Sequence, residues 1–470
     1  MTNQKIILSV LLTLLSIQFS HVEQITAAER PNLISIVTDD QGRWAMGLYG
    51  NKQIHTPHMD QIGREGAVFT NAFVATPVCS PSRATFLSGR YPTELKITDY
   101  ISPDEAQSGY GLAAPTWPQV LQKNGYQTAL IGKWHLGEQE RFHPQQRGFD
   151  HFMGFLSGGT RPMDPTLEIN GQTQKRKGPL PDLLVDDAIQ FLQQSKDKPF
   201  ALCLHFRAPH LPYGPVPKED SAHYLGMDID VPITKGADPE QIKKWNKDYY
   251  ASISSVDRNI GRLLKELDHL QLSDNTLVIF TSDHGYNNGR HGINTKGNGH
   301  WIAGGVNGPK RPNMWETSIR VPLVMRWPRV IKPGTQFGNM VSNIDMFKFV
   351  LGALDVPQPE NQVLHGIDYS PLLFGKPVQN RAAIFGQYDL HNNGLAYMRM
   401  IRTKQFKYVK HYRAKYMDEL YDLKSDPGET KNLIKRRSRS KWQKTVDSLR
   451  GQLTEWQKSI HDPILEPAYH

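Results

Sequence analysis

Cysteine is nearly absent from this chain: 470 residues hold two, Cys79 and Cys203. At most one disulfide can form, which excludes a small fold stapled by several bridges. Long apolar runs are missing after the first twenty residues. The opening stretch "MTNQKIILSVLLTLLSIQFS" sets Lys5 before a short apolar segment, Ile6 to Phe19, interrupted by Thr13, Ser16 and Gln18. The small residues Thr26 to Ala28 follow it. The pattern predicts a signal peptide over residues 1–28, because a membrane span needs ~20 predominantly apolar residues. No cysteine stands beside the cleavage point, so no lipoprotein anchor is expected. The expectation is an exported, soluble protein, periplasmic or secreted, without a membrane anchor. An acidic surplus is missing as well. Lys and Arg number 55 against 46 Asp and Glu, a formal charge of +9. A basic exported protein suits a polyanionic partner. Nucleic acid is not indicated, for there is no basic arm, helix-turn-helix pattern or aromatic RNA motif. The densest basic run, "KRRSRSKW" from Lys435 to Trp442, reads as a solvated helix start.

Four apolar, β-branched runs are present, and each ends in polar residues. "NLISIVTDD" ends in Asp39 and Asp40; "QTALIGKWHLG" carries Lys133 and His135; "PFALCLHFRAPH" ends at His210; "NTLVIFTSDHG" ends in Asp283 and His284. Short, nearly continuous apolar runs bounded by turns predict strands buried on both faces. Helical patterns lie between them. "YYASISSVDRNIGRLLKELDHL" sets Ile253, Val256, Ile260, Leu263, Leu264 and Leu267 on one face. Alternation of this kind predicts an α/β fold with a large, mostly parallel sheet flanked by helices. Ligands bind such sheets at the carboxyl ends of strands, where all four polar clusters fall. From about residue 376 the texture changes to alternating segments, "AIFGQYDL", "LAYMRMIRT" and "FKYVKHYR", then an amphipathic "TVDSLRGQLTEWQKSI". The expected division is a catalytic domain over 29–375 and a smaller α+β subdomain over 376–470, an antiparallel sheet with one helix.

Asp39 and Asp40 are adjacent carboxylates, and like charges so close need a cation or a proton between them. With Asp283 and His284 they suit a hard divalent ion, Ca²⁺ or Mg²⁺, better than zinc, which favours several histidines or thiolates. Cys203 reads as a small buried hydrophobe. Cys79 has three open fates: free thiol, a bridge to Cys203, or a chemical role. It sits in "VATPVCSPSRATFLSGR", where Ser80 reads as a helix N-cap and Pro81 as the first helical residue. That places Cys79 at a helix N-terminus, which attracts anions, with the Arg83 fork one turn in. Lys133, His135 and His210 add donors. Together they describe a metal-centred pocket for a small tetrahedral anion, with a sulfur-bearing residue as nucleophile.

The motif "CSPSRATFLSGR" resembles the signature of the type I sulfatases of the alkaline phosphatase superfamily. "RPNLISIVTDDQG", "TPHMDQIGREGAVFTNAF", "NGYQTALIGKWHLG", "FRAPHLPY", "TSDHG", "IRVPLVMRWP" and "ELYDLKSDPGETKNL" resemble family blocks in the right order. The resemblance implies an alkaline-phosphatase-like fold and a sulfatase acting on sulfate esters of a polysaccharide or its oligosaccharides. It implies that a formylglycine-generating enzyme oxidises Cys79 to formylglycine, whose hydrate is the nucleophile. By resemblance, Asp39, Asp40, Asp283 and His284 hold Ca²⁺ together with the modified Cys79. Arg83 and Lys133 would stabilise the diol, His135 would act as base for sulfate release, and His210 would donate to the leaving oxygen. The family's sulfate-binding lysine matches Lys296 better than Lys310. His300 and Trp301 are expected at the pocket mouth. Two other readings are a phosphate or phosphonate ester hydrolase on the same fold and a silent polyanion-binding protein.

Overall fold

The computed structural model describes residues 30–232, 237–299, 312–392, 395–413, 417–434 and 439–469. The expected leader and His300, Trp301 and Lys310 lie outside them. Ten strands form the large sheet: β1 (Asn32–Thr38), β2 (Ala67–Phe73), β3 (Gln127–Lys133), β4 (His151–Phe155), β5 (Thr166–Ile169), β6 (Gln172–Lys175), β7 (Phe200–His205), β8 (Thr276–Ser282), β9 (Leu323–Arg326) and β10 (Thr335–Ser342). Their order is β10-β2-β9-β8-β1-β7-β3-β4-β5-β6. The four runs singled out in the sequence are the adjacent central strands β8-β1-β7-β3, all parallel. The antiparallel strand β9 is inserted between β2 and β8.

Continuous apolarity in those runs follows from a sheet covered on both faces. Along β1, Leu33 and Val37 enter one core, with Ala201, Cys203, Leu277 and Ile279. Ile34 and Ile36 enter the other, with Leu202, Leu204, Val278 and Phe280. The Cys79–Ser88 helix packs into the first core through Ala84, Phe86 and Leu87. The Pro239–His269 helix lies in the second, where all six residues of its expected apolar face are buried. Truncating any one of these leucines to alanine costs about 2–5 kcal/mol, through lost transfer energy and the void left behind.

The second sheet is an antiparallel meander of β11 (Ala383–Leu390), β12 (Ala396–Thr403), β13 (Phe406–His411) and β14 (Glu419–Asp422). The Arg439–Ser459 helix covers it, burying Val446, Leu449, Leu453 and Trp456 against Ile401, Tyr408 and Leu420. The two sheets touch. Gln387 in β11 donates its backbone N–H to the Ala75 carbonyl at 2.9 Å, four residues before Cys79.

Candidate active site

The carboxyl ends of β1, β8, β7 and β3 converge on Cys79. Asp39 and Asp40 follow β1, and Asp40 turns the chain with a left-handed φ of 71°. An aspartate tolerates this conformation better than most residues. The turn is held from three sides. Asp40 N–H donates to Asp283 Oδ1 at 3.2 Å, and Gln41 N–H donates to Ser282 Oγ at 2.9 Å. Tyr249, from the long helix, donates its hydroxyl to the Asp40 carbonyl at 2.6 Å and accepts the Gly42 N–H at 3.1 Å. Nothing in the sequence marks Tyr249 for this task. It opens the apolar stretch of its helix like any core tyrosine.

Cys79 is the first residue of its helix, and Val78, in extended conformation, is the N-cap. Ser80 is therefore not the cap expected from the sequence. Its hydroxyl is used elsewhere, accepting the Ile101 N–H at 2.9 Å. Cys79 and Cys203 are both free and buried, so no bridge joins them. Burial raises the Cys203 thiol far above its ordinary value. Burial acts on Cys79 in the same sense, but there the Lys133 and Lys296 charges outweigh it and hold the thiol at about 6.

Around Cys79 Sγ stand Lys296 Nζ at 3.0 Å, His284 Nε2 at 3.4 Å and Asp39 Oδ1 at 3.6 Å. Lys296 also binds Asp40 Oδ1 at 2.7 Å. Lys133 Nζ lies 2.6 Å from Asp39 Oδ2, both fully buried. Arg83 Nε meets Asp283 Oδ2 at 2.9 Å. Burial disfavours the Asp39 charge, yet the Lys133 ammonium holds that carboxyl well below the usual range. Asp283 is pushed up to about 7 by burial and by Asp39. Burial opposes a charge on His284, and the Asp283 carboxylate overrides it to about 9.

Ligand atoms of Asp39, Cys79, Asp283 and His284 all lie within 4.8 Å of one another, as do those of Asp39, Asp40, Cys79 and His210. His284 Nδ1 faces the Gly285 carbonyl at 2.9 Å, so Nδ1–H donates there and Nε2 turns to the carboxylates. Metal-bound histidines are oriented in this way, and three carboxylates supply hard oxygen donors. The residues therefore fit a divalent cation. His210 is at the rim, its Nδ1 at 2.7 Å from the Leu211 carbonyl and its Nε2 at 3.8 Å from Asp40 Oδ2. His135 places Nε2 at 3.0 Å from the Ile101 carbonyl, leaving Nδ1 buried without a partner. Burial and the Lys133 charge keep this imidazole neutral. Every site residue expected from the sequence within the described residues thus gathers at one place.

Comparison with known proteins accords with this geometry. The profile of the family described as Sulfatase matches residues 31–356, and that described as N-sulphoglucosamine sulphohydrolase, C-terminal, matches residues 309–459. The chain is 29% identical to an N-acetylglucosamine-6-O-sulfatase of Bacteroides thetaiotaomicron, over 92% of this chain and 87% of that one. It is 30% identical to an ulvan-active sulfatase of Formosa agariphila, over 88% and 79% respectively. The solved structure of BT4656 with its substrate D-glucosamine-2-N,6-O-disulfate superposes with a TM-score of 0.80 at 27% identity, covering 93% of this chain and all of that one.

Proposed function

The chain belongs to the sulfatase family and is a sulfuric ester hydrolase, and on that premise we propose that it is an exported enzyme releasing sulfate from a sulfated polysaccharide or its oligosaccharides. The observation that carries the reading is Cys79 itself. It stands at a helix N-terminus, with Lys296 at 3.0 Å and Asp39 at 3.6 Å, inside a cluster of three carboxylates and a histidine. Formylglycine at position 79 and Ca²⁺ on Asp39, Asp40, Asp283 and His284 would together supply a polarised oxygen nucleophile for attack on sulfur.

The remaining residues bind and move protons. Lys133, Lys296 and Arg83 concentrate positive charge around the sulfate oxygens, and Arg83 Nη2 is buried with no other acceptor. His135, neutral and with Nδ1 free, is the base for sulfate release. His210 is fixed through Nδ1–H on the Leu211 carbonyl, so it must enter as the imidazolium for Nε2 to deliver a proton to the departing sugar oxygen. The division into a leader at 1–28, a catalytic domain at 29–375 and a subdomain at 376–470 belongs to the same reading. So does the maturation enzyme as a transient partner. Cys79 is only 2% exposed, so oxidation precedes folding around it. Among the described residues no helix is long and apolar enough to cross a membrane.

The test has two parts. Peptide mass spectrometry of protein made with the maturation enzyme must find the aldehyde, or its hydrate, at position 79. A panel of defined sulfated oligosaccharides must then yield free sulfate. An unmodified Cys79 in active protein, or release of phosphate in preference to sulfate, overturns the proposal.

A further inference from the structure

Beside the site, toward β9 and β2, lies a group of cations with too few anions. Arg43 is on the loop three residues beyond Asp40, and Arg320 precedes β9 at the end of the sheet where Asp283 emerges. Arg43 stacks on Tyr49, 4.3 Å from guanidinium carbon to ring centroid. The Tyr49 hydroxyl accepts the Leu323 N–H at 3.0 Å, which ties that ring to the strand Arg320 leads into. Arg402 from β12 completes the group, 4.6 Å over the Phe73 ring that Arg320 also approaches at 5.8 Å.

The carboxylates nearby are committed elsewhere. Glu316 receives Arg402 Nη2 at 3.1 Å and Lys407 Nζ at 2.9 Å, and stands 3.8 Å from Arg320 Nη1. Lys407 also reaches Glu429 at 2.7 Å. Burial, opposed by Lys407, raises Glu429 to about 7. Arg43 has neither ion pair nor hydrogen bond among the described residues. The Nε atoms of Arg43 and Arg320 are buried without a partner. Residues 300–311, outside the described residues, contain no acid that could complete the set. Arg320 Nη2 donates to the Thr70 carbonyl at 2.6 Å and to Asn71 Oδ1 at 2.9 Å, so of the two it is Arg43 that lacks any acceptor among the described residues, while burial followed by the Arg43 charge depresses Arg320 to about 10. A partly buried guanidinium without an acceptor is costly. An anion from outside would remove that cost, and a guanidinium fork matches sulfate and carboxylate oxygens.

We propose that Arg43 and Arg320 form an anion subsite beside the catalytic pocket, taking a second sulfate or a carboxylate of the same glycan chain. The inference rests on the sulfatase reading of the Cys79 site and names the substrate class as polyanionic, not singly sulfated. It also gives the basic charge of the chain a local purpose.

The probe is selenate, a tetrahedral dianion that stands in for sulfate and is located by anomalous scattering. Crystals of the wild type, Arg43→Ala and Arg43→Lys are soaked in it. The expected result is a peak between Arg43 and Arg320 in the wild type, lost in Arg43→Ala and weakened in Arg43→Lys, with a separate peak near Lys296 in all three. No peak at Arg43 in the wild type, or an undiminished one in Arg43→Ala, overturns the subsite. A missing peak near Lys296 counts against the catalytic reading alone, so the two failures are separable. Kinetics supply the second arm. The ratio of kcat/KM for a disulfated over a monosulfated glucosamine falls about tenfold in Arg43→Ala at low salt and returns toward the wild-type ratio at high salt. An unchanged ratio with both sugars turned over also overturns the subsite.

Discussion

Lys296 Nζ lies 3.0 Å from Cys79 Sγ and 2.7 Å from Asp40 Oδ1, joining Cys79 to the carboxylate cluster by one ammonium. Such a cation stabilises charge that develops on a transferring sulfuryl group. Lys296→Ala lowers kcat about 10²–10³-fold, the usual cost of one preorganised electrostatic contact. Sulfate release under saturating substrate measures it. A loss in KM alone would assign Lys296 to ground-state binding.

Removal of divalent metal by chelation abolishes turnover and lowers the melting temperature, since Asp39, Asp40 and Asp283 then repel one another. Calcium restores both quantities. Restoration by zinc alone would show that the oxygen donors do not dominate ion choice.

His210→Ala separates substrates by leaving group. On a sulfated sugar the loss is about 10²–10⁴-fold, the usual value of general acid catalysis. On an activated aryl sulfate, whose phenolate leaves unaided, the loss is slight. Equal losses on both would reassign His210 to sulfate binding.

Tyr249→Phe removes the hydroxyl that holds Asp40 O and Gly42 N. Two buried backbone groups lose their partner, which costs about 1–3 kcal/mol each. Calorimetric calcium affinity falls together with the melting temperature. A melting shift with unchanged calcium affinity would make Tyr249 a purely structural residue.

Asp257 gives a pH test remote from the catalytic cluster. Its carboxylate accepts Met59 N–H at 2.7 Å and His58 N–H at 3.0 Å, yet burial outweighs these bonds and raises it to about 7. The folded state therefore binds this proton more tightly than the unfolded state. The stabilisation is complete below pH 4 and is lost as pH rises toward 7. Asp257→Asn cannot ionise, so its melting temperature relative to the wild type climbs between pH 4 and pH 8. A flat difference across that range would refute the assignment.

The central strands were legible because residues buried on both faces must all be apolar, and their polar ends stand out against that run. Asp39, Asp40, Asp283 and His284 could be read as one site for this reason. The Ser80 cap was misread because Ser-Pro is a common helix opening, while the competing partner, Ile101 N–H, is 21 residues away and invisible locally. Tyr249 and Arg43 were missed for a related reason. What sets each apart is a contact, or a lack of one, made across the fold.

The Gln387–Ala75 hydrogen bond makes the second sheet a support for the segment that leads to Cys79. A nonsense codon anywhere before β11 removes the strand against which the segment leading to Cys79 is laid. It also strips Arg402 and Lys407 from Glu316, and Lys407 Nζ from the Met314 carbonyl it holds at 2.9 Å. Asn313, just before Met314, is bonded through its backbone N–H to Gly297 O at 2.8 Å and through its side chain to Lys296 O at 3.2 Å. Truncation before β11 therefore unseats the segments that carry Cys79 and Lys296, and the ten-stranded part depends on the second sheet for their placement.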